Sequence, residues 1–281
     1  MKNTISDIQC FKKKSTPFSM VTVYDYPTSL IINETNIPMV LVGDSASMVV
    51  YGYDNTIPIT MEELSLITKS VNRGIKKALI VADMPFMSYQ ISTEEAIKNA
   101  GQLIKFGGAD AIKLEGGSEY ANRIEKIIES GVPVMGHLGL KPQSILTDSG
   151  YKIHGKKTID AIKIYNDALA LEKAGVFAVV LEGVPVELAE IITQKINIPT
   201  IGIGAGGECD GQIQVFHDII GFFNTKIPKH AKKYINTYKT IKGALENYCD
   251  EVKNKNFPNK INAVNMDSKE LIELQKNIED I

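Results

Sequence analysis

One recurrence limits what this chain can fold into. Short apolar runs, rich in β-branched residues, end in glycine or a polar side chain, and helical patterns lie between many of them. Such runs occupy residues 20–24, 38–43, 78–82, 109–114, 132–136, 176–181 and 199–203, with an eighth placed at 214–222, where His217 and Asp218 interrupt it. Runs that are apolar at nearly every position are strands covered on both faces, the habit of parallel sheets. Between them, Thr60-Met-Glu-Glu63 reads as a capping box ahead of Leu64, Ile67 and Val71, with Gly74 as the stop. Ser92-Thr-Glu-Glu95 reads as a second box, ahead of Ala96, Ala100, Leu103 and Ile104, and Gly107-Gly108 ends that helix. Residues 160–174 and 185–196 carry similar patterns. Strand alternating with helix builds right-handed βαβ units, and about eight of them predict an α/β fold closed as a (β/α)₈ barrel. A doubly wound open sheet is the competing architecture. It lacks its glycine fingerprint here, because the first strand runs into Tyr24-Asp25-Tyr26-Pro27.

The barrel is expected over residues 1–257 of the 281, followed by a polar tail at 258–281. Helices are expected at 231–252 and 268–281, with a linker at 253–262. The last helix is amphipathic through Leu271, Ile272, Leu274 and Ile278, and reads as a solvated tail or a packing arm. A net charge of −2 gives no global field for nucleic acid or an anionic membrane, so neither is an expected partner. Cys10, Cys209 and Cys249 are scattered and odd in number, which excludes a disulfide framework and a zinc ribbon. No apolar run approaches ~20 residues, and the first fourteen residues lack a signal-peptide core; a cytoplasmic protein is expected.

Function is read from where the charges sit. Asp44 follows Val-Leu-Val-Gly, and Asp83 follows Leu-Ile-Val-Ala. Glu115 ends Ile-Lys-Leu-Glu, His137 ends Val-Met-Gly-His, and Glu182 ends Val-Val-Leu-Glu. Each stands at the C-terminal end of an expected strand, the face where barrel enzymes place their chemistry. A single acid there often only caps the next helix. Five such residues from different strands would converge on one mouth. Strand alternation puts Lys113 and Glu115 on the same side. Lys113 reads either as a functional charge or as half of a structural ion pair, since a lysine in an apolar strand needs a partner. Asp44, Asp83, Glu115 and Glu182 crowd negative charge, which raises pKa values or recruits a cation. The oxygen donors suit Mg²⁺ or Mn²⁺, with open positions for a 2-oxo acid. His137 is expected beside these ligands rather than among them. Gly202-Ile-Gly-Ala-Gly-Gly207 follows the seventh strand, where many barrels bind phosphate. Glu208 and Asp210 follow it instead of lysine or arginine, which favours a tight turn.

These residues sit in a series of motifs. Val42-Gly-Asp-Ser45, Ala82-Asp-Met-Pro-Phe86, Lys113-Leu-Glu-Gly-Gly117, Gly136-His-Leu-Gly-Leu140 with Pro142-Gln143, Gly150-Tyr-Lys152, Leu181-Glu182 with Val184-Pro185, and Gly202-Ile-Gly-Ala-Gly206 with Asp210-Gly-Gln212 occur in colinear order. Together they closely resemble the 3-methyl-2-oxobutanoate hydroxymethyltransferase (ketopantoate hydroxymethyltransferase) family. The resemblance implies a barrel of the phosphoenolpyruvate mutase and isocitrate lyase group, commonly a homodecamer. It implies transfer of a hydroxymethyl unit from 5,10-methylenetetrahydrofolate, a co-substrate, to 3-methyl-2-oxobutanoate through a Mg²⁺-stabilised enolate. The product would be 2-dehydropantoate, in pantothenate synthesis. By motif, Asp44 and Asp83 match metal ligands, Glu115 a third metal-associated residue, and Asp44, Ser45, Asp83 and Lys113 the 2-oxo acid contacts. Glu182 matches the proton acceptor. Ala46-Ser47 departs from the family's usual small residue and glycine, and places Ser47 beside the metal loop. Three rival readings are a metal-dependent C–C lyase of the isocitrate lyase type, a Schiff-base aldolase using Lys113, and a non-catalytic 2-oxo acid binder. The first would carry a lysine-cysteine-glycine-histidine loop, whereas this chain has Met135-Gly-His137 without cysteine.

Overall fold

A computed structural model describes residues 1–279. Eight strands close into a barrel in sequence order, every neighbouring pair parallel and β1 hydrogen-bonded to β8. They are β1 (Phe18–Thr22), β2 (Met39–Val42), β3 (Leu79–Asp83), β4 (Ala111–Glu115), β5 (Val134–Gly139), β6 (Ala178–Glu182), β7 (Thr200–Ile203) and β8 (Gly211–Gln214). The helices are α1 (Ile5–Lys13), α2 (Tyr26–Asn33), α3 (Ala46–Val49), α4 (Met61–Gly74), α5 (Thr93–Gln102), α6 (Ala121–Glu129), α7 (Thr158–Lys173), α8 (Val186–Lys195), α9 (Phe216–Ile220), α10 (Thr237–Lys253) and α11 (Ser268–Glu279).

Seven of the expected strands are present. The eighth is displaced: residues 211–214 form the strand, and most of the apolar run expected there forms α9. The true β8, Gly-Gln-Ile-Gln, has only Ile213 to offer the interior, so its alternation is too short to stand out. Gly211 is required because a Cβ there would lie 2.6 Å from the Phe18 ring. The Thr60 capping box forms in full. The Ser92 box is half made: its hydroxyl accepts from the Glu95 N–H at 3.1 Å, while no reciprocal bond from the Glu95 side chain caps that end. The following helix passes through a π turn at Leu103–Gly107 and stops at Gly108, in the left-handed region at φ +78°. The C-terminal helix expected at 268–281 is present to Glu279, and its last two residues lie outside the described residues.

Strand parity divides the apolar residues into two layers. Val40, Ile80, Ala82, Ile112, Leu114, Val134, Val179 and Leu181 face the helices and join one buried cluster. Phe18, Met20, Met39, Leu41, Leu79, Val81, Ala111, Met135, Ala178, Val180, Ile201 and Ile213 fill the barrel interior. Ile8 of α1 belongs to this second cluster and is fully buried, so α1 closes the N-terminal end of the barrel. Beside it, Asp210 accepts bonds from the Thr200 N–H at 2.8 Å and pairs with Lys12 at 2.9 Å.

The chain forms two compact units. The first holds residues 1–219 and 227–232, which include the whole barrel. The second gathers residues 220–226 with the chain from Lys233 onward, including α10 and α11. No helix among the described residues is long and apolar enough to cross a membrane.

Candidate active site

The interior parity that places Leu79, Val81, Ala111, Met135, Ala178 and Val180 inside the barrel continues to the strand ends. There it delivers Asp83, Lys113, Glu115, His137 and Glu182 to the C-terminal mouth. Register fixes the neighbours: Asp83 is aligned with Lys113, and Glu115 with His137. Asp44 follows β2 and joins them through its own N–H, which donates to Asp83 Oδ2 at 2.9 Å. Asp44, Asp83, Lys113, Glu115 and His137 are all buried, and the Glu182 side chain keeps 18% of its surface open. None of the five expected strand-end residues serves as the cap of the helix that follows. Gly139 lets β5 and β6 approach at this level; it has φ +93°, and a Cβ would lie 2.2 Å from the Glu182 carbonyl oxygen.

Lys113 is the central charge. Its Nζ lies 2.8 Å from Asp83 Oδ1 and 3.2 Å from His137 Nδ1. Burial alone would lower its pKa, but Asp83, Asp44 and Glu115 outweigh burial and raise it. An ammonium only donates, so the contact assigns His137 Nδ1 as acceptor and puts the imidazole proton on Nε2. That atom lies 3.2 Å from Glu182 Oε2. Burial and then Lys113 push the His137 pKa well down, so the ring is neutral. Burial, then repulsion from Asp83, pushes Asp44 up to about 7. Burial and Asp44 raise Glu115 well above the carboxylate range. Burial raises Glu182 to about 7 against the pull of Lys113 and His230.

Several contacts were not legible from the sequence. The Tyr24 and Ser45 hydroxyls are 2.8 Å apart. Gln143, after β5, donates from Nε2 to Asp44 Oδ2 at 2.8 Å and from its backbone N–H to Glu115 Oε2 at 3.1 Å. Tyr89 donates its O–H toward Gln143 Oε1 at 2.9 Å. Pro142-Gln143 was visible as a motif, and only the folded loop reveals what its amide touches. Ser47 is buried and turns away to bond the Asn55 carbonyl at 2.7 Å. The Gly202–Gly207 segment is a tight turn: Gly204 and Gly206 have φ of +63° and +84°, and Gln212 Nε2 donates to the Gly206 carbonyl.

The donor set fits a hard cation in one respect and limits it in another. Glu115 Oε1 is buried and receives no hydrogen bond, and Asp83 Oδ1 meets only the Lys113 ammonium, which leaves oxygen lone pairs available. Among the described residues, no three His, Cys, Asp or Glu side chains come together as a ready-made metal cage. A cation here would be held by two carboxylates, with water and substrate oxygens completing its shell, as Mg²⁺ commonly is.

Solved structures with the same fold include phosphonopyruvate hydrolase in complex with oxalate and Mg²⁺, at TM-score 0.60 and 11% identity over 99% of this chain and 96% of that one. Another is 2,3-dimethylmalate lyase, a phosphoenolpyruvate mutase/isocitrate lyase superfamily member, at TM-score 0.57 and 14% identity over 99% and 98%. The chain therefore shares its barrel fold with these proteins. The model of the ketopantoate hydroxymethyltransferase family matches residues 2–260. A 3-methyl-2-oxobutanoate hydroxymethyltransferase of Dehalococcoides mccartyi is 50% identical over 98% of this chain and 99% of its own length. One from Clostridium botulinum is 50% identical over 98% and 100%, and one from Clostridioides difficile 47% identical over the same shares. The chain belongs to the ketopantoate hydroxymethyltransferase family, and it is an enzyme of one-carbon transfer.

Proposed function

We propose that the enzyme adds the one-carbon unit of 5,10-methylenetetrahydrofolate to C3 of 3-methyl-2-oxobutanoate, the acceptor named for its relatives, at the C-terminal mouth of the barrel. The product is 2-dehydropantoate. One observation carries this placement: Asp44, Asp83, Glu115 and Lys113 form one buried group, while Glu182 stands at its edge with part of its carboxylate open. Asp44 and Asp83 would hold Mg²⁺, with Glu115 behind them. Bound there, the cation would polarise the 2-oxo group and offset the negative charge that develops when the C3 proton leaves.

The chain's own residues supply the rest. Lys113 balances the substrate's negative charge from within the barrel. The Ser45 hydroxyl, oriented by Tyr24, binds a substrate oxygen. Glu182 takes the proton from C3. A carboxylate with a pKa about 7 is ionised in useful amount at neutral pH and is a far better base than an ordinary glutamate. His137, neutral, lies behind Glu182 with Nε2 at 3.2 Å from Oε2 and without a directed hydrogen bond to it. The electron pair left at C3 forms the new bond to the one-carbon unit. Water supplies the product's hydroxyl oxygen, and tetrahydrofolate leaves. A Schiff base on Lys113 is disfavoured, because three carboxylates hold the amine protonated. The family resemblance extends the proposal to a homodecamer working in the cytoplasm.

The direct test is formation of 2-dehydropantoate from both substrates, with Mg²⁺ and with excess chelator. Product is expected only with the metal. No product under either condition would overturn the activity, and full activity in chelator would overturn the metal reading.

A further inference from the structure

Gln143 takes no part in the chemistry above, yet it touches both acidic arms of the site. It lies on the short turn Pro142–Ser144 after β5 and is 5% exposed. Its Nε2 donates to Asp44 Oδ2 at 2.8 Å and to the Met84 carbonyl at 2.9 Å. Its backbone N–H donates to Glu115 Oε2 at 3.1 Å. The amide can face only one way, since a carboxylate and a carbonyl both demand donors. Its Oε1 then needs a donor of its own, and the Tyr89 hydroxyl supplies one at 2.9 Å. Tyr89 is fully enclosed, and its hydroxyl also meets the backbone of Glu115, at 3.0 Å from the carbonyl and 3.3 Å from the N–H. Gln143 therefore ties down one oxygen of Asp44 and one of Glu115. The remaining Glu115 oxygen, Oε1, is buried and takes no hydrogen bond.

We infer that Gln143 is a positioning residue for the reaction: it holds Asp44 Oδ2 and Glu115 Oε2 so that the other oxygen of each carboxylate is presented to the cation and the 2-oxo acid. The inference rests on the metal reading of this site. Groups that hydrogen-bond the ligands of a metal typically set its affinity by ~10–100-fold. Asp44 and Glu115 come from different elements, and each would otherwise swing away from the other's charge.

Mn²⁺ is the probe, titrated by electron paramagnetic resonance into metal-free wild type, Gln143→Met and Tyr89→Phe. Methionine keeps the length and removes the donor and acceptor; phenylalanine keeps the ring and removes the hydroxyl. Gln143→Met should bind Mn²⁺ ~10–100-fold more weakly than wild type. Its KM for the 2-oxo acid should rise, and excess Mn²⁺ should restore most of kcat. Tyr89→Phe should shift affinity the same way by less. Circular dichroism checks that each variant folds, and Tyr89→Phe carries the test if Gln143→Met does not. Wild-type Mn²⁺ affinity in the folded variant overturns the inference while the metal reading stands. Absence of Mn²⁺ binding to wild type overturns the metal reading and this inference together.

Discussion

The two ends of the barrel are built on the same eight strands and have opposite character. At the N-terminal end, Ile8 plugs an apolar interior, and the ion pair of Lys12 with Asp210 is supported by Thr200. At the C-terminal end the interior positions carry Asp83, Lys113, Glu115, His137 and Glu182, with Asp44 and Asp83 in direct contact. The first arrangement satisfies its polar groups. The second buries carboxylates against one another, leaves Glu115 Oε1 without a hydrogen bond, and raises the pKa values of Asp44 and Glu115. Conflict of this kind weakens a fold and is kept where chemistry needs it. Substitutions at the two ends should therefore separate activity from stability.

The largest effect is expected at Asp44. Asp44→Asn removes a charge proposed to hold the cation and should lower activity by ~10³-fold or more, the several kcal/mol that a bound cation supplies. It should also stabilise the metal-free protein. The folded-state pKa of Asp44 is raised from the ordinary 3.8 to about 7, so folding favours its protonated form. The resulting penalty is absent below about pH 4, grows as pH rises between the two values, and is complete above about 7. Thermal melts in chelator at pH 8 should show the variant more stable by ~1–4 kcal/mol, with the gain gone at pH 4. Equal stability at pH 8 would mean that Asp44 is not strained by its neighbours.

Glu182→Gln comes next. It should slow turnover by ~10²–10⁴-fold, the usual worth of a general base, while leaving 2-oxo acid binding almost intact. With Mg²⁺ but no folate, wild type in D₂O should exchange the C3 proton, followed by proton NMR. The exchange rate should climb as pH rises through about 7, because only the ionised carboxylate accepts the proton. Wild-type exchange in Glu182→Gln would reassign the base.

The opposite end should answer in the opposite currency. Ile8→Ala leaves a cavity under the barrel and should destabilise by ~2–5 kcal/mol in denaturant melts, with kcat near wild type. Asp210→Asn keeps its oxygen but loses the charge facing Lys12, and should cost about 1–2 kcal/mol, again with kcat unchanged. A drop in kcat for either would show that the two ends are coupled.

Seven strands were legible because each is apolar on both faces, and five candidate-site residues were legible because each ends or follows such a run, with Lys113 inside one. Pairing Lys113 with Glu115 on one side needed only the two-residue period of a strand. Strand β8 was misplaced because its four residues, Gly211 to Gln214, alternate too briefly against the longer apolar run of α9. Gln143 and Tyr89 could not be assigned, since 99 residues separate Gln143 from Asp44 and 26 separate Tyr89 from Glu115.

The sequence by itself determined the barrel and which residues stand at its mouth, because local periodicity dictates which way each strand residue points. Tertiary structure alone decided how those residues meet. Register aligned Asp83 with Lys113, the loop after β5 brought Gln143 back to β2, and the pairing of β5 with β6 set Glu182 near His137. These are contacts between distant segments, and the energies that distinguish one carboxylate from another arise only when those segments exclude water together.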